Sequence, residues 1–150
     1  MELILTEGCV CNSLTIDDKE ARDYSNEELI DIIKKVLDKE KSKFNLIKLL
    51  GMIIEIFGEN STDKSIIKTD KYGTLTEQDG TNVITVRGRD INGLKEEEIR
   101  DMMIVGISCR EDNADLIWVL RGLVQILGRY KFCYHCDECG DNVVEYKLKI

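Results

Sequence analysis

Tyr130-Lys131-Phe132-Cys133-Tyr134-His135-Cys136-Asp137-Glu138-Cys139-Gly140-Asp141-Asn142-Val143-Val144-Glu145-Tyr146-Lys147-Leu148-Lys149-Ile150 closes the chain, and its pattern decides the fold. Tyr130, Phe132 and Tyr134 share one face of a first run. Val144, Tyr146, Leu148 and Ile150 share one face of a second, with Glu145, Lys147 and Lys149 opposite. A period of two marks an antiparallel strand with one wet face. Two such runs around a polar, glycine-containing centre read as a hairpin. The last residue is expected to be ordered, so that truncation there harms the fold.

The N-terminus has the same strand character over residues 1–6, followed by the turn Gly8-Cys9-Val10-Cys11-Asn12. Leu14 and Ile16 alternate with Thr15 and Asp17, and Asp17-Asp18 makes a tight turn. Ser25 and Glu28 form a capping box before a helix whose apolar face is Leu29, Ile30, Ile32, Ile33, Val36 and Leu37. The stretch 44–57 is apolar on nearly all sides, with Asn45, Lys48 and Glu55 on one narrow stripe and Gly58 as its stop. Such a helix must be covered on most sides, by its own domain or by another chain. A short strand at 66–69 precedes a hairpin of 74–78 and 81–86, where Asp79-Gly80 suits a type I′ turn. A third helix is expected over 94–107. A fourth, again nearly all apolar, runs from a cap at Asp112 or Asn113 to Gly128. The expected fold is α+β: an antiparallel sheet including both termini, about four helices, and a zinc-knuckle-like C-terminal hairpin. Residues 1–150 read as a single α+β domain. No internal repeat, low-complexity tract or linker is apparent.

Apolar residues make up 43% of the 150 positions and charged residues 33%, a globular balance. No apolar run is long enough for a membrane span, and the first residues lack the basic start and apolar stretch of a signal peptide. A cytoplasmic location is therefore expected. The net charge of −8 argues against direct binding to nucleic acid, a polyanion. It suits a basic protein partner, including one whose nucleic-acid site carboxylates could occupy.

The six cysteines are Cys9, Cys11, Cys109, Cys133, Cys136 and Cys139. In a chain without a leader, closely spaced cysteines more often bind metal than form disulfides. Cys136-Asp137-Glu138-Cys139-Gly140 lets one tight turn aim two thiolates at a metal, and the glycine supplies the positive φ such a turn uses. Over about ten residues this resembles one knuckle of a zinc ribbon. A ribbon needs a second pair, and Cys9 and Cys11 form the other close pair. If the first and last strands are sheet neighbours, Cys9, Cys11, Cys136 and Cys139 complete a structural zinc site joining the two ends of the chain. Cys133 or His135 could replace an N-terminal ligand; packed reduced thiols and a redox pair remain as other readings. Cys109, at a helix end, reads as a small core residue.

Other chemistry is thin. His135 is the sole histidine, so any Ser-His or Cys-His mechanism must use it. There is no phosphate-binding glycine loop. Glu145 and Lys147, with Asp141 upstream, vaguely resemble the acidic-x-Lys strand of restriction-type nucleases, where carboxylates hold Mg²⁺. The spacing from Asp141 is too short for that family. The carboxylates at Glu27, Glu28 and Asp31, and at Glu96, Glu97 and Glu98, sit at helix starts, where the helix dipole explains them. The reading that follows is a non-catalytic, acidic protein that binds another protein as adaptor, inhibitor or regulator, phage or mobile-element anti-defence proteins being one instance. The alternatives are a component of a larger homo-oligomer, such as a virion or ring protein, and a metal-dependent hydrolase or nuclease using Asp141, Glu145 and Lys147.

Overall fold

The structure, a computed structural model, describes residues 1–8, 12–60, 66–70, 73–78, 81–86, 88–128, 130–138, 140 and 142–150. For 59, 60, 66–70, 73–78, 81, 82 and 130 it describes the backbone alone.

The strands are β1 (Glu2–Glu7), β2 (Ser13–Ile16), β3 (Lys19–Glu20), β4 (Glu59–Asn60), β5 (Ile66–Asp70), β6 (Gly73–Gln78), β7 (Thr81–Val86), β8 (Arg89–Asp90), β9 (Tyr130–His135) and β10 (Asn142–Lys149). The helices are α1 (Asn26–Lys39), α2 (Lys43–Phe57), α3 (Glu96–Ser108) and α4 (Asn113–Leu127), with 3-10 turns at Ala21–Asp23 and Ile91–Gly93. The fold is α+β with four helices among the described residues, and both termini lie in one antiparallel sheet. The strands form two five-stranded sheets, in the orders β3-β2-β1-β10-β9 and β4-β5-β6-β7-β8.

The helix starts follow local chemistry. Ser25 Oγ accepts from Glu28 N–H, and Glu28 Oε1 accepts from Ser25 N–H, the reciprocal capping box. Ser42 Oγ accepts from Asn45 N–H to start α2, and Asp112 Oδ1 accepts from Ala114 N–H to start α4. Asp17 and Asp18 carry positive φ of 49° and 66° in the β2–β3 turn, a conformation that aspartate tolerates. The third helix starts at Glu96, two residues later than its apolar pattern suggests, because Leu94 is buried at the end of the preceding 3-10 turn.

The order of elements corrects the reading that the chain has no repeat. From β1 to α2 and from β6 to α4 the chain lays down the same series, and equivalent residues stand seventy positions apart without an insertion. Leu5-Thr6-Glu7 matches Leu75-Thr76-Glu77. Glu27, Glu28 and Asp31 match Glu97, Glu98 and Asp101. Leu46, Ile47, Leu50, Ile56 and Gly58 match Leu116, Ile117, Leu120, Ile126 and Gly128. Burial agrees at these helices: Leu46, Leu49, Leu50, Ile53 and Ile54 are buried, and so are Leu116, Val119, Leu120, Leu123 and Val124.

The halves of the repeats are exchanged. One compact unit is Met1–Val36 with Glu111–Ile150, and the other is Leu37–Arg110. In the first, α4 packs on β1, β10 and the 21–23 turn; Leu3, Leu5, Ile16, Leu29 and Ile33 complete its core. In the second, α2 packs on β5, β6 and α3, and Ile84, Val86, Ile91, Ile99 and Met103 are buried with it. The apolar face of α2 is therefore spent inside its own unit, while Phe44 stays two-thirds exposed beneath the Lys48 ammonium, 4.8 Å from its ring. Arg100 closes the end of α1 by donating to the carbonyls of Leu37, at 2.9 Å, and Glu40, at 2.6 Å.

Candidate metal centre

β1 and β10 are neighbours, with Glu7 opposite Val144 and Glu2 opposite Lys149. β10 and β9 are joined with Asn142 opposite His135. The end of β1 and the start of β10 thus lie at the same end of one sheet. The β1–β2 loop between Gly8 and Asn12 and the β9–β10 turn between His135 and Asn142 both leave from that end. Each loop holds one close cysteine pair.

The described flanks are tightly set. Gly8 N–H donates to Asn12 Oδ1 at 2.9 Å, closing the first loop across residues 9–11. A Cβ on Gly8 would stand 2.9 Å from Val143 Cγ2 and 3.3 Å from the Asn142 carbonyl, so only glycine lets the loop pass this close to β10. Val143 is fully buried. In the second loop, Gly140 has φ +75° and donates its N–H to the Cys136 carbonyl at 2.8 Å. Gly140 thus has the positive φ expected at that position. Cys136 is half-buried, whereas Cys133 is exposed. Of the four expected ligands, Cys9, Cys11 and Cys139 lie outside the described residues. Among the described residues no three of His, Cys, Asp and Glu converge.

No protein-family model, curated protein or solved structure matches the chain.

The repeat shows how this sheet end differs from its counterpart, a signal that reading the sequence position by position missed. Cys9-Val10-Cys11 stands where the second repeat has Asp79-Gly80-Thr81. Thr69 pairs with Thr74, and Lys147 pairs with Ile4, so Lys147 is the equivalent of Thr69. Those two are 78 positions apart instead of seventy, so the stretch from Gly128 to Lys147 is eight residues longer than that from Gly58 to Thr69. Both cysteine pairs sit where the repeats diverge, and both fall in the same unit.

The remaining expected positions fall elsewhere. Cys109 is the exposed C-cap of α3, not a core residue, because α3 ends there and turns its buried face through Met103, Gly106 and Ile107. Lys147 Nζ lies 3.7 Å from Glu145 Oε1, two residues apart on one strand face, which satisfies both charges as a surface pair. Asp141 lies outside the described residues. Tyr24 has its phenol raised above the usual value, by desolvation first and then by Asp17 and Glu28; its hydroxyl donates to the Ile16 carbonyl at 2.8 Å, a structural tie.

Proposed function

We propose that this chain is a non-catalytic, acidic protein that acts by binding another protein, and that a structural zinc held by Cys9, Cys11, Cys136 and Cys139 fastens the cysteine-bearing end of its first sheet. The observation that carries the zinc reading is the register of β1, β10 and β9, which sends the two cysteine-bearing loops from one sheet end. Four thiolates make a closed tetrahedral set, so the metal's contribution is to folding rather than to chemistry. The binding role draws on the charge: −8 overall, with Glu27, Glu28 and Asp31 exposed at the start of α1 and Glu97, Glu98 and Asp101 at the matching positions of α3. Two equivalent acidic helix starts suit a basic partner, whose approach they would steer.

The test begins with elemental analysis of protein purified without chelator or histidine tag. One zinc per chain is expected, lost in Cys136→Ser and kept in Cys109→Ser, with a lower melting temperature in chelator. Metal retained in the Cys9→Ser, Cys11→Ser double variant would move the ligand set to Cys133 and His135. Protein with no metal, all six thiols titrating and a melting curve indifferent to chelator ends the zinc reading. For the partner, affinity purification from the native cell is followed by kinetics: association should slow with salt, and slow further when Glu96, Glu97 and Glu98 become lysine. A rate indifferent to both removes the electrostatic reading of that patch.

A further inference from the structure

Trp118, the sole tryptophan, lies on the outer face of α4 and is 53% exposed. Such a ring leaves a large apolar area in water, and tryptophan is among the residues most enriched at the energetic centres of protein interfaces. The ring is already held in place. The Arg121 guanidinium lies over it, 4.7 Å from its centroid, and Arg121 is itself paired with Glu7 of β1 at 3.1 Å. One face of the ring thus carries a cation. The helical turn before Trp118 carries the small, exposed Ala114 and the half-buried Asp115, at spacings where side chains of a helix are neighbours. Asp112 caps the same helix and Glu111 precedes it, both exposed. From Glu111 to Trp118 the chain has three carboxylates and no cation. The equivalent stretch of α2 has Lys41, Lys43 and Lys48 and no carboxylate. The charge of this helix face is therefore a property of α4 and not of the repeat.

We propose that Trp118 anchors an arginine- or lysine-bearing segment of another protein, with one cation of that segment on the other face of the ring and its neighbours paired with Asp115, Asp112 and Glu111. The proposal rests on the reading of a basic protein partner and gives that partner a place to bind. Local charge complementarity selects the segment: the carboxylates beside the ring have no cation among them, and Arg121 is spent on Glu7. Shape selects a protein over a small cation. The outer face of a helix is convex and encloses nothing, whereas small ligands bind in concave sites. A chain segment laid along α4 covers ring and carboxylates together. Asp112 to Trp118 spans about 9 Å of helix, the reach of about three extended residues.

The probe is a tetra-arginine peptide, and the sole tryptophan is its reporter. Titration of the full chain at low salt is expected to change Trp118 emission to saturation, and added salt should reverse the change. With a labelled peptide followed by anisotropy, Trp118→Ala should weaken binding at least about tenfold. Asp115→Asn should weaken it less and flatten its salt dependence. Both variants should unfold close to the parent temperature. The ring is half exposed and alanine favours helix, while Asn45 holds the place of Asp115 in α2. Binding that leaves Trp118 emission unchanged, or that both variants retain at full strength, overturns the proposal and leaves the basic partner to bind elsewhere. Absence of binding at low salt overturns the proposal and the basic-partner reading together. Emission that shifts with protein concentration before any peptide is added also overturns it, since a second copy then covers the ring.

Discussion

Between Leu5 and Gly58, and again between Leu75 and Gly128, the chain builds the same elements in the same spacing, yet the two sheets they help to form end differently. Among the described residues, the sheet of unit Leu37–Arg110 finishes in the two-residue strands β4 and β8. The sheet of unit Met1–Val36 with Glu111–Ile150 carries two cysteine-bearing loops at one end and the long strand β9 at one edge. What the two units share is the apolar framework that any copy of this fold must keep. What they do not share is concentrated in one loop and one hairpin, the latter carrying the second cysteine pair at its turn. Features present in one copy and absent from the other lie outside the shared framework, and the cysteine pairs and the long β9 are among them.

The shared framework can be tested where it is deepest. Leu50 and Leu120 are equivalent, and each is at most 1% exposed. Changing either to alanine removes three carbons from a packed site and should cost about 2–5 kcal/mol. Urea unfolding of Leu50→Ala and Leu120→Ala is expected to give losses in that range for both. A loss well below 1 kcal/mol at one position alone would mean that the two cores are packed differently despite their matching pattern.

The divergent end offers a test of intermediate size. Gly8 has no counterpart glycine, since Gln78 stands at the equivalent position. A methyl group there meets Val143, itself fully buried, and the Asn142 backbone. Gly8→Ala should therefore destabilise by about 1–3 kcal/mol, the usual effect of overpacking. Amide exchange should quicken along β10 from Asn142 toward Tyr146 and stay unchanged along β6 and β7. Exchange that quickens equally in both sheets would show that the close approach of loop and strand is not what the glycine serves.

Much of this architecture was legible locally. Capping by Ser25 and Asp112, the stop at Gly58 and Gly128, and the period-two strands at both termini rest on neighbouring residues, so four helices and most strands follow from pattern alone. The division into two sheets was not legible, because it depends on β1 choosing β10 and β5 choosing β6, pairings remote in sequence or shared by every hairpin. The repeat was present in the sequence but faint. Its equivalent positions mostly keep apolar character and not identity, as in Ile53 with Leu123 and Ile16 with Val86, and the longer stretch from Gly128 to Lys147 breaks the seventy-residue period. The neighbouring of the first and last strands, on which the cysteine site depended, was a condition stated from sequence and is met in the fold. Cys109 does lie at the helix end where the sequence placed it, but its side chain is exposed, because a cysteine's apolar character does not tell which way a C-cap position faces.

The smallest effect is expected at the starts of α1 and α3, where the two repeats solve one problem with unequal chemistry. In α1 both halves of the capping box are present: Ser25 Oγ takes the Glu28 N–H, and Glu28 takes the Ser25 N–H. In α3 only the return bond has a proper acceptor. Glu98 Oε1 accepts from Lys95 N–H at 3.3 Å, but the lysine at the cap position carries an ammonium, which has no lone pair to offer the first turn. Its positive charge also faces the positive end of the helix dipole. Ser25→Ala should thus cost about 1 kcal/mol, and Lys95→Ser should gain a comparable amount, about 0.5–1 kcal/mol. Both sites are exposed, so neither change disturbs packing. Thermal unfolding of the two single variants and the double variant separates the contributions. The two caps start different helices and bond different partners, Glu28 and Glu98, so their contributions are expected to add. A stabilisation absent from Lys95→Ser would mean that the acidic run Glu96, Glu97 and Glu98 already supplies what the missing hydroxyl would, by electrostatics alone. High salt would then destabilise α3 more than α1, because screening weakens the dipole term and leaves the hydrogen-bonded box in place.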